Sequence, residues 1–503
     1  MPDQSATAPS KDIAALAKGG RTNFFGFLLR LAARLPFLFI AGRLYGPENL
    51  GRFASAVIVV EFAAQLATLG QKRGLAQQLA RGDEDPACVI ADGLLLSLAI
   101  SAILALVLWL FPLPLFPSGN YDPYERLLPL VIFPIAAGDI ALAALAYRYD
   151  IGATVRARSI VEPWTLSIAA GVFYFITPAD GLILSYFISM TAAMVTALVP
   201  LVKSYGLPHG WKPHPLDIGR QAVANLPIAG ADMVESGTRK LDIALLGAFA
   251  PPSVVGVYYV AQQIASLPQK LRTSFEPILG PVITRNLAEG NMAAIAKQVC
   301  QVGFWITAAQ AGIALALGIP GPAVMGLVGP NFVGGTGAVN FLLLAEVVAA
   351  TAVVSEAALI YLAPLRNLLI SLAMIVLQGA LTVALVLTVR SLNLPPLWSA
   401  AAAAAALMLS LALSSVAKAL LLGRILQRPI NNWRWALVWA CAPAVLVGWG
   451  VRQLPEWAQL AFGIPAILGI YGFVIWRRGF GPEDRVLFRR EAAAETAPAS
   501  STA

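Results

Sequence analysis

An all-α, polytopic membrane protein is the fold class that this sequence predicts, on three observations. Of its 503 residues 58% are hydrophobic and only 12% charged, with a mean hydropathy of +0.73, whereas a soluble domain is nearer half apolar and a quarter charged. The apolar residues come in long runs rather than in alternation, which selects helices over barrel strands. The Lys and Arg residues gather in every second loop, the bias that orients a multi-spanning chain.

Taken in chain order, MPDQSATAPS reads as a polar tail. The apolar stretch after it is interrupted by Arg30 and Arg34. It is therefore a first span and not a cleaved signal, whose core would be shorter and uncharged. Candidate helices follow at approximately 22–43, 52–71, 88–111, 127–148, 159–177, 181–203, 219–249, 253–285, 295–319, 338–363, 366–389, 397–421, 433–451 and 458–476. That is about fourteen spans of the length a bilayer needs. The seventh, eighth and tenth are polar enough that a hydropathy window can miss them. With the N-terminus cytoplasmic, most of the 35 basic residues face the cytoplasm, among them Lys72, Arg73, Arg81, Arg148, Arg156, Arg158, Lys203, Lys212, Arg220, Arg424, Arg428, Arg477 and Arg478. Both termini are then expected on the cytoplasmic side. A charge so distributed sets topology, and nucleic-acid binding is not expected despite a pI of 9.5.

Cys88, Cys300 and Cys441 show neither disulfide nor metal spacing. His209 and His214 lie in a Pro-rich connector without further ligands. No metal, no cofactor and no catalytic residue is expected. No GxxxxGK[ST] loop occurs, so ATP is not the direct energy source.

The stretch AGRLYGPENLGRFASA (41–56) returns in skeleton as LGAFAPPSVVGVYYVA (246–261). Gly42 matches Gly247, Pro47 matches Pro252, Gly51 matches Gly256, Phe53 matches Tyr258 and Ala56 matches Ala261. Gly46 can end a helix with positive φ. Pro47 suits the first turn of the next helix, and Glu48 its positive end. Six helices separate the copies, so the halves share one orientation, as parallel repeats about an axis along the membrane normal. The expected organisation is a tail at 1–20, an N-lobe of helices one to six at 21–205 and a cytoplasmic linker at 206–216. A C-lobe of helices seven to twelve at 217–425, two extra helices at 430–478 and a cytoplasmic tail at 479–503 complete it.

RLYGPENLGRFASA resembles the first-hairpin signature of polysaccharide exporters in the multidrug/oligosaccharidyl-lipid/polysaccharide flippase superfamily. RKLDIALLGAFAPPSVVGVYYVAQQI is similar to their second-lobe signature, and VMGLVGPNFVGGTGAVNFLLLAEV to their later Gly-rich hairpin. The resemblance runs in order through about residues 15–420 and is nearest to the Wzx-type flippases of lipid-linked repeat units, in which fourteen spans are familiar. It implies a transporter, not an enzyme. The cargo would be a polyprenyl-pyrophosphate-linked oligosaccharide, moved from the cytoplasmic to the periplasmic leaflet by alternating access for exopolysaccharide or O-antigen synthesis. A polymerase and a chain-length regulator are the implied partners, with membrane lipid around a monomer.

Charges inside apolar spans are costly, ~3 kcal/mol each on insertion scales, and normally face a wet cavity or a partner. Arg30 and Arg34 share a face of the first span. Glu61 and Gln65 do so on the second, and Asp139 interrupts the fourth. Asn225, Asp232, Glu235, Arg239 and Asp242 form a stripe on the seventh. Gln262, Ser266, Gln269, Thr273 and Glu276 form one on the eighth, beside Lys270 and Arg272. Glu346 and Glu356 lie in the tenth. On the cavity reading, Arg30, Arg34, Arg239, Lys270, Arg272, Gln262 and Gln269 hold pyrophosphate and sugar. Glu61, Asp139, Asp232, Glu235, Asp242 and Glu346 couple ions, because burial raises a carboxylate's pKa. Simpler readings stand beside these. Glu235 and Arg239 can pair within their helix. Arg239, Lys240 and Asp242 can snorkel to the outer interface, and Asp139 can cap a kink beside Gly138. Gly46, Pro47, Gly51, Gly256 and Pro268 mark hairpins and hinges, and Pro36, Pro163 and Pro227 also bend spans. A proton- or sodium-coupled multidrug exporter of the same superfamily is the alternative function, expected to have a net acidic cavity. A polysaccharide polymerase or ligase would need a large outer loop with catalytic Arg or His.

Overall fold

The computed structural model describes residues 33–481 except 82–84, 118, 120, 214, 274–282 and 288. Among these residues every regular element is a helix. Helix α1 (33–45) ends in a π-helical turn, Ala41–Tyr45, and passes without a loop into α2 (Gly46–Thr68). Then come α3 (Gln71–Arg81), α4 (Pro86–Leu110), α5 (Ile132–Tyr147, led in by a 3-10 segment Glu125–Val131), α6 (151–174) and α7 (Gly181–Tyr205). These are followed by α8 (Pro215–Phe249), α9 (Pro252–Thr273), α10 (Met292–Gly318), α11 (Gly321–Val328), α12 (Thr336–Leu362), α13 (Pro364–Ser391), α14 (Trp398–Leu426), α15 (Trp435–Val451) and α16 (Glu456–Gly479).

Nine helices among the described residues are long and apolar enough to cross a membrane. The polar seventh and eighth spans, α8 and α9, fall outside that group, as their stripes predict, whereas the tenth, within Pro330–Leu362, falls inside it. Large apolar side chains point outward, such as Ile103, Ile168, Phe175, Val376, Leu446, Trp435 and Trp449. Small and hydroxylated ones point inward. Ser97, Ser101, Ser185 and Ser189 are buried, and Ser101, Ser185 and Ser189 donate to backbone carbonyls. This inverts the soluble pattern and suits a chain solvated by lipid.

The chain packs as two compact units. One holds the chain through Ile264 with Met325–Leu342 and Ser371–Ser410; the other holds Ala265–Val324, Leu343–Ile370 and the chain from Leu411 onward. In the first unit Leu75, Ile90, Ile140, Leu145, Ala153, Ala157 and Leu201 form a core that binds α3, α4, α5, α6 and α7. In the second, Ile295, Val299, Val354, Leu359 and Leu422 form one core, and Phe304, Ala308, Leu437, Ala440, Ala444, Ile467 and Tyr471 form another. Through that last cluster α15 and α16 pack on α10. Small residues permit the approach: a Cβ on Gly312 would lie 2.9 Å from the Tyr471 ring, the kind of site where lipid-embedded helices meet closely.

The repeated motif makes one contact inside the first unit. A Cβ on Gly51 would lie 1.7 Å from the Pro252 carbonyl oxygen, and a Cβ on Gly256 would lie 1.9 Å from the Pro47 carbonyl oxygen. Since Pro47 matches Pro252 and Gly51 matches Gly256, the contact is reciprocal, as across a twofold axis. Gly46 has φ 75° with ψ 177°, a glycine conformation with an extended ψ rather than the left-handed helical one. Pro47 stands in the first turn of α2 with Glu48, and Pro252 opens α9.

Candidate functional site

Within the first unit α2, α3, α5, α6, α7 and α8 enclose a cavity of about 270 Å³. Its polar lining is Glu61, Gln65, Lys72, Asp139, Arg158, Glu162, Tyr186 and Lys240, with Ile135 and Met190 beside them. Local structure sets each direction. The α2–α3 junction turns through Leu69 and Gly70, both at positive φ, and Lys72 returns toward α5. Arg158 sits in a π-helical segment of α6, Val155–Val161, directly before Pro163. A π-turn carries an extra residue and re-aims side chains, and the proline lacks the N–H that a regular turn would need there.

The charges are matched. Asp139 takes Lys72 on one oxygen at 2.6 Å and Arg158 on the other. Arg158 reaches on to Glu162 at 3.0 Å, one turn along its own helix. Glu61 pairs with Lys240 on α8 and accepts from the Tyr186 hydroxyl at 3.2 Å. Gln65 donates to the Asp232 carbonyl at 2.9 Å, tying α2 to α8. Arg158, Asp139 and Glu162 are 17%, 15% and 14% exposed, and Lys72, Glu61 and Lys240 are more open. Three cations thus meet three carboxylates. A buried ion without a partner loses several kcal/mol, and here each finds one. Such a set binds an added anion only by exchange, with the newcomer taking a cation from its carboxylate.

The sequence-predicted residues distribute as follows. Glu61 and Asp139 line the cavity, and Asp139 is an ion-pair hub rather than a helix cap. Arg34 is exposed and lies within electrostatic reach of Glu61 and Tyr259. Asn225 is buried against Gly74 of α3. Asp232 meets Gln65 through its carbonyl. Asp242 is fully buried, bound by the Tyr258 hydroxyl and the Ile243 N–H, and does not line this cavity. Gln262 and Pro268 lie along α9, half-buried and buried, with Gln269 half-buried on the same helix. In the second unit Glu346 is half-buried on α12, and Glu356 pairs with Lys418 of α14 at 3.0 Å. Arg30 and Glu276 lie outside the described residues, as do the side chains of Pro227, Glu235, Arg239, Lys270, Arg272 and Thr273.

Five polar lining residues are not among the site residues read from the sequence. Arg158 and Lys72, counted there among loop charges, are helical and paired with Asp139. Lys240 points to Glu61 instead of the interface, and Glu162 and Tyr186 close the ring. The i, i+4 spacing of Arg158 and Glu162 was the signal available for one of these pairs.

The description "Polysaccharide biosynthesis protein" matches residues 40–307, just over half of the chain. The chain belongs to that family. No curated protein matches it in sequence. Among solved structures, this family member is similar to the lipid II flippase MurJ in an inward closed conformation, with a TM-score of 0.66 and 11% identity over 94% of this chain and 100% of that one. It is also similar to an inward-facing multidrug resistance MATE transporter of the MOP superfamily, with a TM-score of 0.59 and 15% identity over 79% of this chain and 94% of that one. A MOP superfamily transporter from Pyrococcus furiosus gives a TM-score of 0.55 and 14% identity over 82% of this chain and 95% of that one. At such identities the likeness is one of fold. The chain is a multi-pass membrane protein with the fold of these transporters.

Proposed function

We propose that the protein is a flippase for a polyprenyl-pyrophosphate-linked oligosaccharide, carrying the head group from the cytoplasmic to the periplasmic leaflet of a bacterial inner membrane by alternating access. The observation that carries this is the charge-matched cavity of Lys72, Arg158 and Lys240 with Glu61, Asp139 and Glu162. A pyrophosphate can take over Lys or Arg contacts, Arg offering a planar fork. A carboxylate so displaced gains affinity for a proton, which ties anion entry to ion coupling. Gln65 and Tyr186 offer hydrogen bonds to sugar hydroxyls. The family membership supports a role in polysaccharide synthesis, with a polymerase and chain-length regulator taking the flipped unit and the flippase working as a monomer. A cation-drug exporter would need a net acidic cavity, and three cations here balance three carboxylates.

The test is polymer production in cells lacking the chromosomal copy. Arg34→Ala combined with Lys240→Ala removes the cations acting on Glu61 and should lower surface polymer at least tenfold at normal membrane abundance, while lipid-linked repeat units accumulate. Wild-type polymer from this variant would overturn the assignment.

A further inference from the structure

We propose that Asp122, Glu125 and Asp180 form a calcium-binding site at the end of the first unit where α5 and α7 begin. Their carboxylate oxygens lie within 4.8 Å of one another. Two oxygens on one Ca²⁺, at 2.3–2.6 Å each, are at most about 5 Å apart, so one ion can touch all three. Glu125 is 2% exposed and Asp180 is 6% exposed, while Asp122 is exposed and leaves room for water ligands.

The independent observation is the Asp180 carboxylate. It is more than nine-tenths buried, yet its Oδ1 has no hydrogen-bond partner. A buried polar atom in that state loses about 1–3 kcal/mol. Asp180 stands at the N-cap of α7, but its side chain accepts nothing from that helix. Elsewhere in this chain Asp85, Asp150 and Asn291 at N-caps each accept a backbone N–H. The Asp180 carboxylate does not cap its helix and lies instead beside those of Asp122 and Glu125. Burial, and then the neighbouring Asp122, push its carboxyl up, opposed by Arg52.

The charge count gives the valence. Arg52 of α2 binds Glu125 Oε2 at 2.7 Å, and the Asp122 N–H binds the same oxygen at 2.9 Å. Three carboxylates against this one guanidinium leave a net charge of minus two. A hard divalent ion with oxygen ligands matches that charge. It would tie the 112–131 segment to the head of α7, beside the α1–α2 junction, where Tyr45 approaches Gly181 and donates to the Ala170 carbonyl at 2.7 Å.

The experiment uses the purified full-length protein in nanodiscs, stripped with chelator. Calcium should raise the unfolding temperature saturably, with half-saturation between about 0.1 and 1 mM, the range of extracellular calcium modules. Terbium should bind with sensitised luminescence that calcium displaces. Asp180→Asn should lose both responses while raising the unfolding temperature in chelator, because it removes one unbalanced charge. Asp122→Asn, at an exposed position that tolerates change, should lose the responses with the fold intact. Asp85→Asn, a helix cap elsewhere, should keep them. Absence of any saturable calcium or terbium response from folded wild-type protein, or an unchanged response in Asp122→Asn, would overturn the site.

Discussion

Arg158 bridges Asp139 and Glu162 while largely buried. Removing one member of a buried pair strands the other charge, at about 3–5 kcal/mol. Arg158→Met keeps the apolar stem, leaves Asp139 with Lys72 alone and strands Glu162. It should lower stability by about 3 kcal/mol, read as a drop in unfolding temperature. Adding Glu162→Gln should restore part of that loss, because the stranded charge goes with it. A double variant as unstable as the simple sum would deny the coupling. The pair also shows what a sequence can disclose. Glu61 and Asp139 stood out because a charge alone in an apolar run has few explanations. Lys72 and Arg158 did not, because a cation near a helix end is equally well explained by topology, and their partner lies on another helix.

At the scale of the element, the doubled motif was readable from Gly, Pro, an aromatic and Ala at fixed offsets. That the first copy joins two helices without a loop was not, since nothing local distinguishes a π-helical turn from a short connection. Nor was it visible that the copies touch. Gly51 and Gly256 let α2 and α9 cross backbone to backbone, where a methyl group would meet a carbonyl oxygen at 1.7 or 1.9 Å. Gly51→Ala and Gly256→Ala should each destabilise by about 3 kcal/mol, the upper range of overpacking. Once one methyl has parted the helices, the second adds less, so the double variant should fall short of the sum. Gly171, with no atom within 4 Å of its would-be Cβ, is the internal control. Gly171→Ala should be neutral or slightly stabilising. Additive losses at Gly51 and Gly256 would show that the two sites do not share one interface.

For the whole molecule, the fold class was legible because the bilayer imposes it through composition and run length. The packing into two compact units was not, since several helices contribute residues to both units and no composition change marks the division. The orientation rests on loop charge. The segment 175–180 carries no Lys or Arg, whereas 203–213 carries Lys203 and Lys212. The positive-inside rule therefore puts Ala179 outside and His209 inside. Both are exposed in the structure. With Cys88, Cys300 and Cys441 changed to Ser, Ala179→Cys should react with a membrane-impermeant maleimide on intact spheroplasts. His209→Cys should react only after permeabilisation, because α7 separates the two positions across the bilayer. Labelling of His209→Cys without permeabilisation would reverse the protein in the membrane. The cavity charges would then serve transport in the opposite geometry, and the calcium site would face the cytoplasm, where free calcium is too scarce to fill it.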